Sequence, residues 1–109
     1  MSTNLPAPIA AYFAAENTDD AGVFTACFSH DAVVLDEGRT IQGIAAIKAW
    51  KVDAKAKYRH SIDAIASADK GGKTVVRGLV SGNFPGSPVE LDFAFGLEGG
   101  RIASLEIRP

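Results

Sequence analysis

Residues 74–108, TVVRGLVSGNFPGSPVELDFAFGLEGGRIASLEIR, decide the architecture. Three runs rich in valine, leucine, isoleucine and phenylalanine, Thr74 to Phe84, Val89 to Leu97 and Arg101 to Arg108, are separated by Pro85-Gly86-Ser87-Pro88 and Gly99-Gly100. β-Branched and aromatic side chains suit a pleated, half-buried surface, and glycine and proline punctuate it with turns. The clearest period is two. Val89, Leu91, Phe93, Phe95 and Leu97 alternate with Glu90, Asp92, Ala94 and Gly96, which predicts one buried and one more polar face. A fourth run, Tyr58 to Ser67, precedes Gly71-Gly72. Connections this short leave no room for a crossover, so the four strands form an antiparallel meander. Gly78 and Gly82 are expected to help their strand bend.

Upstream of the meander the period changes to that of a helix. Residues 44–57, IAAIKAWKVDAKAK, place Ile44, Ile47, Trp50 and Ala54 along one face and lysines elsewhere, which predicts an amphipathic helix. Before it, Ala32 to Leu35 reads as a brief strand that stops at the turn cluster Asp36-Glu37-Gly38-Arg39 and pairs with Thr40-Ile41-Gln42-Gly43. Ile9, Tyr12, Phe13 and Glu16 fall at helical spacing and predict a first helix over residues 7–17. Thr18, Asp19 and Asp20 offer N-cap oxygens to a second short helix in which Ala21, Phe24, Cys27 and Phe28 recur at three and four. Three helices cover only one face of so long a sheet. The expectation is a single α+β domain over residues 1–109 whose curved antiparallel, or mixed, sheet wraps in a cone around the N-terminal helices. Its other face then meets solvent or a second copy, and a homodimer is expected.

Composition removes several function classes. The chain has 109 residues, 47% of them hydrophobic and 22% charged, which suits one domain with a real core. A net charge of −2 provides no basic field for holding phosphates, so nucleic acid is not expected as a partner. Cys27 is the single cysteine, so no intramolecular disulfide or CxxC site can form, and a reducing, cytoplasmic setting is the expectation. The leader Met1-Ser2-Thr3-Asn4-Leu5-Pro6 has no charged n-region or apolar h-region, and no apolar stretch approaches membrane-spanning length, so no membrane association is expected.

The runs Ala11-Tyr12-Phe13, Asp20-Ala21, Phe28 to Asp36 and Gly43 to Trp50, with the later Gly82 to Pro88 and Gly99-Gly100-Arg101-Ile102, carry a resemblance over nearly the whole chain. They resemble the nuclear transport factor 2-like superfamily, with its SnoaL-like polyketide cyclases and ketosteroid isomerases. The resemblance implies a cystatin-like cone with an enclosed hydrophobic pocket for a small hydrophobic molecule, acting without a cofactor. Isomerases, dehydratases, cyclases and plain binding or dimerisation domains share that fold, so fold alone does not choose among them.

The residues narrow the choice to two classes. Asp36 stands at the end of an apolar strand, where a carboxylate can face a cavity and act as a general base. Its position resembles that of the ketosteroid isomerase base, and Tyr12 lies at the separation of that family's oxyanion-donating tyrosine. Against this, Asp36 also starts a turn at Gly38, Tyr12 can be a helix-face aromatic, and Glu37 and Arg39 make the turn polar. A third acid at Asp92 falls on the strand face opposite Phe93 and Phe95 and is not expected in the pocket. Trp50, Phe28, Phe93 and Phe95 are candidate pocket walls. His60 alternates with Tyr58 and Ile62, which places it inward on its strand near Trp50, either as a ligand contact or as a satisfied structural histidine. Arg77 has no aspartate two residues on, so an epoxide-hydrolase arrangement fails. His30, Asp31, Asp36 and Glu37 show no metal-ligand spacing, no phosphate loop is present, and neither Ser81 nor Cys27 has the partners of a nucleophile. Two readings therefore stand: an isomerase-, cyclase- or lyase-type enzyme moving a proton beside a carbonyl, with Asp36 as base and Tyr12 as donor, and a noncatalytic ligand-binding or dimerisation module.

Overall fold

The computed structural model describes residues 5–109. The leader Met1 to Asn4 lies outside the described residues. Helix α1 spans Ala7–Glu16, α2 Ala21–Thr25 and α3 Ile44–Tyr58. The strands are β1 Phe28–Asp36, β2 Arg39–Gln42, β3 Ser61–Lys70, β4 Lys73–Ser81, β5 Val89–Glu98 and β6 Arg101–Arg108. They form one sheet in the order β2-β1-β6-β5-β4-β3. All neighbours are antiparallel except β1 and β6, which run parallel. The fold is thus α+β with a mixed, open six-stranded sheet and three helices.

Local chemistry explains most boundaries. Pro6 to Pro8 place proline where helix α1 starts and its amide is not needed. Asp20 caps α2, its Oδ1 accepting from the amides of Gly22 at 3.0 Å and Val23 at 3.1 Å. Three two-residue turns join strands: Glu37-Gly38, Gly71-Gly72 and Gly99-Gly100, each with two positive φ angles. That is the turn whose twist matches the strands it connects.

Several expectations need correction. The second helix ends at Thr25, and Phe28 opens β1, which is longer than the expected Ala32 to Leu35. The cause is long-range: Ile102 donates its amide to the Cys27 carbonyl at 2.9 Å, and β1 runs beside β6 from Phe28 onward. Tyr58 closes α3 rather than opening a strand, and Arg59 turns the chain in a left-handed conformation with φ 47°, so His60 precedes β3. Leu97 is exposed because a register shift between Gly96 and Leu97 breaks the alternation of β5. Lys51 is buried, contrary to a lysine-free apolar face on α3.

The concave face of the sheet meets the helices through an aromatic core. The Tyr12 ring centroid lies 5.1 Å from that of Phe13, 5.3 Å from Phe24 and 5.2 Å from Phe95. Phe28 and Phe93 complete it, and Ile9, Ile47, Val34, Val76, Ile102 and Leu105 fill around it. Burying one such side chain contributes about 1.5–3 kcal/mol. On the outer face the Arg77 Nε donates to Asp92 Oδ1 at 2.9 Å across β4 and β5. Among the described residues no helix is long and apolar enough to cross a membrane.

Candidate functional site

Beyond the end of the aromatic core the sheet and α3 diverge around a cavity of about 310 Å³. Helix α3 supplies Trp50, Ala54 and Tyr58, the strands supply Ile62, Val80, Val89, Leu91, Phe93 and Ile107, and Phe84 comes from the turn after β4. Its polar lining consists of Glu16, Asp36, Glu37 and His60, with no lysine or arginine among the described lining residues. A mostly apolar hollow with a few convergent polar groups is the ordinary form of a small-molecule site. The mouth continues into a groove that shares Asp36, Glu37, Leu91 and Ile107 with the cavity and adds Arg39 and Arg108.

Asp36 ends β1 half-buried at this mouth. The indole Nε1–H of Trp50 donates to its Oδ2 at 3.1 Å. Burial raises the Asp36 carboxyl above the ordinary aspartate value; the Trp50 hydrogen bond opposes this, Glu37 adds to it, and Arg39 opposes it again. The carboxylate is therefore a stronger base than an exposed aspartate, and it is aimed by a second side chain of the cavity wall.

Deeper in, Glu16 is the hub of a buried network. Its Oε2 accepts from the Tyr12 hydroxyl at 2.7 Å, and its Oε1 lies 3.0 Å from His60 Nε2 and 3.4 Å from Lys51 Nζ. Lys51 Nζ also donates to the carbonyls of Glu16 at 3.1 Å and Thr18 at 3.2 Å, and Lys55 Nζ to those of Glu16 at 2.9 Å and His60 at 2.6 Å. The two lysines thus close the C-terminal end of α1 from α3, where cations and donors are favourable. Burial alone would raise the Glu16 carboxyl, but His60, Tyr12 and Lys51 outweigh it, so it sits below the ordinary glutamate value and is ionised. The Tyr12 hydroxyl is pushed well above the usual phenol range, first by burial and then by Glu16.

The structure gathers Asp36, Trp50, His60 and Phe93 around one cavity. Tyr12, Phe28 and Phe95 lie in the aromatic core, outside its lining, and Tyr12 spends its hydroxyl on Glu16. Asp92 is on the outer face with Arg77. Glu16 and Lys51 were not among the expected site residues, although a signal existed. Glu16 is four residues after Tyr12 on the core-facing stripe of α1, and Lys51 is four after Ile47 on that of α3. A charge on a buried face implies a buried partner. Cys27 packs with its thiol donating to the Val23 carbonyl at 3.6 Å, and burial raises the thiol.

A curved mixed sheet with three helices beside a largely apolar cavity defines the nuclear transport factor 2-like, cystatin-fold class. The profile of the SnoaL-like domain matches residues 9–105, and the chain belongs to that family. It is similar to a proposed polyketide cyclase of Sinorhizobium meliloti, with 43% identity, 95% of each chain covered and a TM-score of 0.91. A protein of Catenulispora acidiphila with a ketosteroid isomerase-like fold, solved with trimethylamine, superposes at a TM-score of 0.82 and 19% identity over 97% of this chain and 87% of that one. A proposed polyketide cyclase of Pseudomonas putida gives 0.81 and 21% over 99% and 92%. The last two likenesses concern the fold alone. Among curated proteins no match is found.

Proposed function

We propose that the chain binds a small, neutral, largely apolar molecule in the cavity and moves a proton beside a carbonyl of that molecule, with Asp36 as the base. The observation that carries this reading is the Asp36 carboxylate at the cavity mouth, oriented by Trp50 and made more basic by burial. Asp36 and Glu37, with no lysine or arginine beside them in the lining, disfavour an anionic ligand; the third lining carboxylate, Glu16, is already paired with Lys51. Identity of 43% to a proposed polyketide cyclase supports the same chemical class. Tyr12 acts in this reading through Glu16, because its hydroxyl is already donated there. We place the protein in the cytoplasm as a homodimer, with Cys27 a reduced packing residue.

The noncatalytic alternative has one observation in its favour: Tyr12, the expected carbonyl donor, does not line the cavity. A simple ketone separates the two. In deuterated buffer 2-tetralone, a bicyclic enolisable ketone, should exchange its α-hydrogens faster with protein than without. Asp36→Asn should lower the catalysed rate by about 100-fold or more while the fold is kept, since asparagine preserves the turn and the size. Exchange at the buffer rate with wild type, or equal exchange by both proteins, removes the proton-transfer reading and leaves a binding module.

A further inference from the structure

The two ring nitrogens of His60, a residue of the cavity lining, have different surroundings. Arg59 turns the chain out of α3, and His60 then lies between α3 and β3, nearly buried, with its carbonyl held by Lys55. Its Nε2 meets the Glu16 carboxylate at 3.0 Å. An ionised carboxylate only accepts, so Nε2 carries the hydrogen, and whenever the ring is neutral its Nδ1 is left as an acceptor. Nδ1 has no hydrogen-bond partner among the described residues, and no buried side-chain nitrogen or oxygen is without one, so Nδ1 is an atom that solvent reaches. His60 lines the cavity beside the apolar Ile62, Val80, Phe84 and Phe93. An acceptor in such a setting gains most from a ligand that brings its own donor.

We propose that His60, fixed by Glu16, presents Nδ1 to the cavity as the acceptor for a ligand hydroxyl, so that the site takes neutral, flat, apolar compounds carrying a phenolic or enolic hydroxyl. This rests on the cavity being the ligand site. Trp50, Phe84 and Phe93 supply aromatic walls for a flat ring. Glu16 is a positioning residue here. Tyr12 and Lys51 fix its carboxylate from α1 and α3, so the tautomer of His60 is set by a network that no ligand needs to touch.

Three probes of one shape test it: 2-naphthol, which donates; 2-methoxynaphthalene, which has the oxygen but no donor; and naphthalene. Titrations followed by NMR at pH 8, above the ordinary imidazole range, should show 2-naphthol binding about tenfold more tightly than the other two. The nitrogen-15 resonance of His60 Nδ1 should move at saturation with 2-naphthol only, and His60→Phe should level the three affinities. Equal affinity of wild type for 2-naphthol and 2-methoxynaphthalene, or an unmoved Nδ1, overturns the inference and leaves the ligand site standing. No binding of any probe overturns the ligand site and this inference together. In Glu16→Gln the side-chain amide can meet Nε2 with either its oxygen or its NH₂, so the Nε2–H tautomer should lose its dominance. If that tautomer persists unchanged, Glu16 does not position the ring.

Discussion

At the scale of single residues, the buried polar groups around Glu16 carry the largest consequences. Lys51 and Glu16 are 3% exposed each, and removing one partner of such a pair leaves a charge without compensation. Lys51→Met should therefore destabilise the fold by about 3–5 kcal/mol in denaturant unfolding, more than an exposed lysine such as Lys48. A loss below about 1 kcal/mol, the level of a surface pair, contradicts the network. The sign of the pH dependence follows from Glu16. Its folded-state carboxyl is held below the ordinary 4.5, so the unfolded chain binds more protons in the acid range. The resulting stability is fully present above that value and is lost as pH falls through the folded one. The stability gap between wild type and Glu16→Gln should narrow as pH drops below about 4.5, and a gap independent of pH rules the assignment out. Asp36 works in the opposite direction. Its raised value makes ionisation slightly unfavourable in the fold, so its contribution falls as pH rises through the window just above the ordinary aspartate value.

At the scale of elements, the cavity depends on how closely β4 approaches β5 and β3. Gly78 sits on the concave face of β4, and a Cβ there would come within 2.8 Å of Phe93 Cε1 and 3.0 Å of Ile62 Cγ2. The absent side chain lets the Phe93 ring, a cavity wall, pack directly against the strand. Gly78→Ala should cost about 1–3 kcal/mol by overpacking and should weaken probe binding, because the displaced ring can move only into the cavity or the core. A variant as stable as wild type with unchanged affinity refutes this packing. The same scale explains where period-based reading held. Helix α1 and strand β4 follow their sequence patterns, because each buries one stripe or face against a single neighbouring layer.

At the scale of the whole molecule, helices cover the concave face and leave the convex one open. That open face carries the half-buried Val75 and Leu79 around the Arg77–Asp92 pair, a mixed apolar and charged surface suited to a twofold interface. Sedimentation at micromolar concentration should give twice the chain mass, and Leu79→Glu should reduce it to one chain while the far-ultraviolet spectrum stays unchanged. A wild-type monomer at that concentration refutes the dimer.

The sequence by itself determined the local and periodic features: three amphipathic helices, a glycine-punctuated meander, an α+β cone and the place of Asp36 at a strand end beside a turn. These follow from side-chain period and backbone freedom, which act over a few residues. Only the tertiary structure decided what lies far apart in sequence. The parallel pairing of β1 with β6 converted a helix end at Phe28 into strand, because backbone groups 74 positions apart, Phe28 and Ile102, became neighbours. The same long-range closure put Glu16, Lys51 and His60 together, around a carboxylate that already accepts from the Tyr12 hydroxyl one turn away on α1. Charge pairing across 35 and 44 residues leaves no periodic trace in the chain, since each partner on its own looks like a polar residue on the wrong face.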